Sequence, residues 1–118
     1  MIIDCHVHIW IPGMVPKAYE DGCILTMAYA AGIALKQKFT FEQAQEMLYP
    51  MLQDGKGEKY LAHMDEAGID KAVIFGVDFG EEIGEPEIPI FEMNRMYADL
   101  CKAHPDRFVA LCAIDPRR

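Results

Sequence analysis

The sequence predicts an α/β protein in which parallel strands alternate with crossover helices. Residues 72–77 and 108–114 are short, nearly uninterrupted apolar runs, which are typical of strands buried on both faces. Residues 2–9 alternate apolar and polar side chains through most of their length, as a strand with two chemically different faces does. Helical patterns separate these strands, and the order β-α-α-β-α-β indicates a parallel sheet.

The first half of the chain is predicted to contain one strand and two helices. The strand over residues 2–9 is followed by the breakers Trp10, Pro12, Gly13 and Pro16. Residues 17–39 are rich in helix formers and are predicted to form a short helix. Thr40 and Gln43 match a capping box, in which two side chains satisfy backbone groups at a helix start, and they predict a helix over residues 41–53.

The second half is predicted to contain two helices and two strands. Residues 58–67 have helical apolar spacing, and Gly68 is placed to end that helix in the left-handed conformation. The strand at residues 72–77 leads into a loop that contains Gly80, Gly84, Pro86 and Pro89. A helix is predicted over residues 90–104, and the strand at 108–114 follows it.

Two histidines on the first strand form the clearest candidate site. His6 and His8 are two positions apart, so their side chains project from the same face about 6–7 Å apart at the backbone and can converge on one ion. Asp4 is predicted on that face as the carboxylate that orients a histidine ligand. The alternate positions Ile3, Cys5, Val7 and Ile9 are expected to pack beneath helices. Nitrogen ligands favour zinc among the divalent metals, although iron, cobalt and manganese also fit.

Three further residues are expected at the rim of this site. Trp10 follows the histidine strand, and Asp78 and Asp115 end the second and third strands, whose carboxyl ends share one edge of a parallel sheet. The alternative for both aspartates is that they cap backbone amides at turns. His63 and His104 lie in the helical segments and are not assigned to the metal site.

Composition and charge narrow the class of protein. The 118 residues set a ceiling of one domain, and 19 acidic against 11 basic residues give a net charge of −8. A nucleic acid or an anionic membrane is therefore not expected as a partner. The longest uncharged apolar stretch, residues 23–35, is well short of the roughly 20 residues that span a membrane. The first residues lack a signal-peptide pattern, and a cytoplasmic location is the expectation.

Three segments resemble a known family. "MIIDCHVHIW", "YLAHMDEAGIDKAVIFGVD" and "NRMYADLCKAHPDRFVALCAIDP" are similar, in this order and spacing, to the N-terminal third of the amidohydrolase-related metal-dependent hydrolases. The subgroup in question includes aminocarboxymuconate-semialdehyde decarboxylase, resorcylate-type decarboxylases and lactone hydrolases. The resemblance covers the chain apart from residues 11–39 and 79–89.

The resemblance implies a (β/α)₈ barrel with its site at the carboxyl ends of the strands. His6 and His8 match the metal ligands of the first strand. The other ligands, a histidine on each of two later strands and an aspartate on the last, are expected beyond Arg118, as is the general base. Such a barrel needs about 250 residues, so residues 1–118 are expected to be a single partial domain of about three βα units.

The expected function is hydrolysis of a C–N or C–O bond in a small molecule by metal-activated water, or a related decarboxylation. One alternative is a truncated, non-catalytic barrel fragment that forms homo-oligomers through the exposed edges of its first and third strands. Another is a metal-dependent nuclease of the TatD type, which also begins with two histidines in this spacing. The acidic net charge argues against the nuclease.

Overall fold

The computed structural model describes residues 1–117 and contains one parallel sheet. In chain order the elements are β1 (Ile3–Val7), α1 (Lys17–Leu35), α2 (Phe41–Met47), a 3₁₀ helix (Tyr49–Leu52), α3 (Glu58–Ala67), β2 (Lys71–Phe75), α4 (Gly80–Ile83), α5 (Ile90–Ala103) and β3 (Phe108–Leu111). The strands follow each other in the order β1-β2-β3, and both pairings are parallel. The predicted α/β class with a parallel sheet is therefore confirmed.

Local signals in the sequence account for several helix ends. Thr40 and Gln43 form the predicted capping box at the start of α2. Gly68 ends α3 at a φ of 70°, a left-handed conformation that glycine adopts without steric cost. The helix predicted over residues 41–53 stops earlier, at Met47, and continues as the 3₁₀ helix. Pro50 explains this difference, since proline has no N–H and its ring clashes with the carbonyl one turn back.

The strands are shorter than predicted, and β3 shows why. The prediction extends to residue 114, but β3 ends at Leu111. The side-chain amide of Asn94 donates to the carbonyl of Ala113 and accepts from its N–H, both at 2.8 Å. These bonds to α5 take the place of ladder hydrogen bonds. The short helix α4 also lies where only a loop is predicted.

The main core lies on one face of the sheet. Ala72 and Ile74 of β2 are fully buried there with Met64 of α3 and with Met93 and Tyr97 of α5. The prediction of burial on both faces is wrong for residues 108–114, in the part of the chain that the structure describes. In β2, Ala72 and Ile74 are buried on the core face, while Val73 and Phe75 on the other face are half-buried. Exposed apolar side chains remain on β1 and β3, namely Ile3, Val109 and Leu111.

A second, smaller core joins α1 to α2 and the 3₁₀ helix. Ile24 and Ala28 of α1 are buried against Ala44 and Tyr49. The hydroxyl of Tyr49 donates to the carboxylate of Glu20 at 2.5 Å, which fixes α1 beside the 3₁₀ helix. Within residues 1–117, none of the helices is both long enough and apolar enough to cross a membrane.

Candidate metal centre

The imidazoles of His6 and His8 converge. Their Nε2 atoms lie 3.1 Å apart, with the ring planes nearly perpendicular at 89°. Two nitrogens bound to one tetrahedral Zn²⁺ at about 2.0–2.1 Å are themselves about 3.3 Å apart. The observed spacing fits two positions of such a coordination shell, so this donor pair suits zinc.

A backbone carbonyl fixes the tautomer of His8. The Nδ1 atom of His8 lies 2.8 Å from the carbonyl oxygen of Phe75, the last residue of β2. Because a carbonyl can only accept, Nδ1 carries the proton, and the Nε2 of neutral His8 therefore presents its lone pair towards His6. This is the arrangement that metal-binding histidines use, with the second ring nitrogen held by an outer partner.

The ring of Phe75 also packs against both imidazoles. Its centroid lies 4.9 Å from that of His6 and 4.7 Å from that of His8, in edge-to-face geometry. Phe75 thus positions the histidines through both its backbone and its side chain. The sequence gives only a weak signal for this role of Phe75. Phe75 ends β2, and the carboxyl end of a parallel strand lies beside that of its neighbour, here β1.

The prediction that Asp4 shares a face with the two imidazoles is wrong. In the sheet, Asp4 pairs with Ala72 and Val7 pairs with Ile74, so β1 takes one more residue than β2 over the same step. Such a bulge interrupts the strict alternation of side chains. Because paired residues of parallel strands point to the same side, Asp4 lies on the helix-covered face with Val7.

The carboxylate of Asp4 therefore has other partners than an imidazole. It accepts a hydrogen bond of 2.6 Å from the hydroxyl of Tyr60 in α3 and one of 3.1 Å from the backbone N–H of His6. These two bonds, that from Tyr60 foremost, lower the pKa of Asp4 below its usual value. Asp4 therefore holds His6, a predicted metal ligand, by a hydrogen bond to its backbone N–H. The same bulge leaves Ile3 and Cys5 exposed instead of packed beneath helices.

Tyr60→Phe tests whether the bond from Tyr60 to Asp4 stabilises the bulged strand. We expect the free energy of unfolding to fall by about 1 kcal/mol, since the charge-assisted hydrogen bond is half-buried. Asp4→Ala loses the same bond, so the double variant should be less destabilised than the sum of the single variants. Urea unfolding followed by circular dichroism measures this, with Tyr29→Phe on the exposed side of α1 as control. Strict additivity would contradict the coupling.

Trp10 lies beside the imidazole of His8. Its ring centroid is 6.0 Å from that of His8 and 6.0 Å from that of Tyr19 in α1. Tyr19 in turn lies 4.4 Å from Phe79. The backbone of Trp10 is held by Asp54, whose N–H donates to the Trp10 carbonyl at 2.8 Å. A row of aromatic rings therefore leads away from His8.

Asp78 and Asp115 link the ends of β2 and β3. The carboxylate of Asp78 accepts from the N–H of Gly80 at 3.0 Å and from the N–H of Asp115 at 2.8 Å. The buried carboxylate of Asp115 accepts from the backbone and the guanidinium of Arg117. These bonds raise the pKa of Arg117. The alternative considered for both aspartates, capping of backbone amides, is confirmed.

Tyr97 is a positioning residue that the sequence does not reveal. Its buried hydroxyl donates to the carbonyl of Ile9 at 2.9 Å, directly after His8 in the chain. Burial raises the pKa of Tyr97 to about 12, so the hydroxyl stays protonated as a donor. The apolar spacing of α5 predicts a core position for Tyr97, but a contact over 88 residues leaves no local signal.

The structure brings two candidate ligands together, His6 and His8. Among residues 1–117, no group of three or more His, Cys, Asp or Glu side chains is placed to share one ion. Comparison with models of known protein families finds no match, and a search of curated proteins finds no relative. The inference to a metal therefore depends on the geometry of His6 and His8.

Proposed function

We propose that the chain is part of a metal-dependent hydrolase, or of a related decarboxylase, in which His6 and His8 hold a divalent metal ion, preferably zinc. The convergence of the two Nε2 atoms at 3.1 Å, with the Nδ1 of His8 held by the carbonyl of Phe75, carries this proposal. A bound zinc ion lowers the pKa of water to about 7 and polarises a carbonyl, which is the chemistry that hydrolysis of an amide or ester needs.

The fold supports the proposal through the position of the pair. His8 directly follows β1, so the pair lies at the carboxyl end of a parallel strand, where (β/α)₈ barrels have their sites. We propose that β1, β2 and β3 are three consecutive strands of such a barrel. The resemblance to amidohydrolase-related enzymes agrees with this and implies further ligands and a general base on later strands.

The residues around the pair would position the two histidines and shape the path by which a small-molecule substrate approaches them. Phe75 orients His8, and Trp10 forms a wall beside it. Asp4 and Tyr60 hold the bulge that carries His6. The roles of these residues are to position the histidines and to shape the approach to them.

Zinc titration of the metal-free chain tests the proposal. In isothermal calorimetry at neutral pH, His6→Ala and His8→Ala should each weaken zinc binding at least tenfold, because one nitrogen ligand is lost. His63→Ala is the matched control, since His63 is an exposed helical histidine away from β1, and its affinity should equal that of the parent. Parent-like affinity in both the His6 and His8 variants would refute the assignment.

A further inference from the structure

An open groove lies next to the row of aromatic rings. It has a volume of about 650 Å³ and runs along α1 towards the 3₁₀ helix and α4, with Tyr19, Gly22, Cys23, Met27, Leu52 and Ile83 among its lining residues. Small-molecule sites commonly measure about 300–1,000 Å³ and have mostly apolar walls. The groove therefore has the size and surface of a ligand site.

Among the residues that the structure describes, no lining side chain of the groove is charged, although the chain as a whole carries a net charge of −8. Burial raises the pKa of the Cys23 thiol, which keeps this polar group of the lining neutral. A charged ligand would lose its hydration here without gaining a partner charge. An uncharged apolar group fits this surface.

Tyr19 connects the groove to the candidate metal centre. Its side chain lines the groove, and its ring is 6.0 Å from Trp10, which is itself 6.0 Å from His8. The groove thus begins about two aromatic rings away from the imidazole pair. A ligand that occupies the groove and reaches His8 has to be extended.

Gly22 lines the groove without a side chain. It lies inside α1, where glycine is less favourable than alanine, and a Cβ built on it meets none of the described atoms within 4 Å. Close packing of α1 against another of the described elements therefore does not explain this glycine. Space at this position is what a ligand in the groove would use.

We propose that this groove binds the unbranched, uncharged apolar chain of an amide or ester substrate whose carbonyl end reaches His6 and His8. This substrate class depends on the hydrolase function proposed above. The contacts of the alkyl chain with Tyr19, Met27 and Leu52 would supply affinity. Because the described lining residues include no cationic side chain, the groove would discriminate against free carboxylic acids.

A series of neutral alkyl amides, from butanamide to octanamide, tests the proposal in the presence of a chelator. Trp10 is the single tryptophan of the chain, so its fluorescence reports binding beside Tyr19, and calorimetry provides an independent measurement. Burial of each additional methylene should tighten binding about fourfold. Octanoate should bind more weakly than octanamide.

Gly22→Leu fills the groove and should abolish the dependence on chain length. Ala30→Leu is the matched control, because it adds the same side chain to an exposed position of α1 outside the groove. Affinity that does not rise with chain length, or that persists in Gly22→Leu, would overturn the proposal. It would also be overturned if the amides do not bind and Gly22→Leu dissociates an oligomer, since the groove would then be an interface between copies.

Zinc titration of Gly22→Leu separates this inference from the proposed function. The variant should bind zinc as the parent does, because Gly22 does not contact the histidines. Failure of the amide series with intact zinc binding would refute the groove alone. Failure of zinc binding in the parent would refute the metal function, and with it the assignment of the groove to a hydrolase substrate.

Discussion

Ile74→Ala is expected to lower the free energy of unfolding by about 3 kcal/mol or more. Ile74 is fully buried in the central strand β2, on the face that α3 and α5 cover with Met64 and Met93. Removal of its side chain leaves a cavity that close-packed neighbours refill poorly. Urea unfolding followed by circular dichroism measures the difference in the free energy of unfolding between the variant and the parent.

Leu111→Ala is the matched control for this prediction. Leu111 lies in the neighbouring strand β3, but its side chain is 53% exposed. In the monomer its truncation should therefore cost less than about 1 kcal/mol, and unfolding of both variants is followed at submicromolar concentration, below the range in which the chain is expected to associate. Similar losses for Ile74→Ala and Leu111→Ala would contradict a core on a single face of the sheet, and would indicate that the other face is covered in solution as well.

Local signals made much of the fold predictable. The bounds of α3 and its glycine cap at Gly68, and the capping box of Thr40 and Gln43, depend on a few neighbouring residues, and the sequence displays them directly. The parallel sheet follows from apolar runs separated by helical segments. The sequence also placed His6 and His8 together, because one intervening residue puts two strand side chains on the same face.

The bulge in β1 has no comparable signal. It depends on the register between β1 and β2, and an assumption of strict alternation therefore put Asp4 on the wrong face. The contacts made by Phe75 and Tyr97 join residues far apart in the chain, so no local pattern reveals them. Apolar composition likewise predicted burial on both faces of β3, whereas within residues 1–117 the helices cover one face.

The uncovered face of the sheet is expected to cause self-association of the chain. Val109 and Leu111 of β3 are about half exposed on this face, and so is Ile3 of β1. In the part of the chain that the structure describes, β1 and β3 each have β2 as their single strand neighbour. Exposed apolar edge strands are templates for pairing with another chain.

We expect the chain to form oligomers of itself at micromolar concentration through this face and these edges. The double variant Val109→Lys/Leu111→Lys should shift the population to monomer, because charges on the face would have to be buried without partners. Light scattering coupled to size-exclusion chromatography over a range of concentrations measures the mass. Since the net charge of −8 repels a second copy, added salt should strengthen association of the parent.

Leu25→Lys/Ile33→Lys is the control for this last prediction. It introduces the same two charges at exposed apolar positions of α1, away from the sheet, and should leave the oligomeric mass unchanged. Hydrogen exchange adds a local readout, since the outward-facing amides of β3 become protected when a strand of another copy pairs with them. A parent that stays monomeric at all concentrations would refute self-association. If the α1 variant is monomeric and the β3 variant stays oligomeric, the interface lies on α1 and not on the sheet.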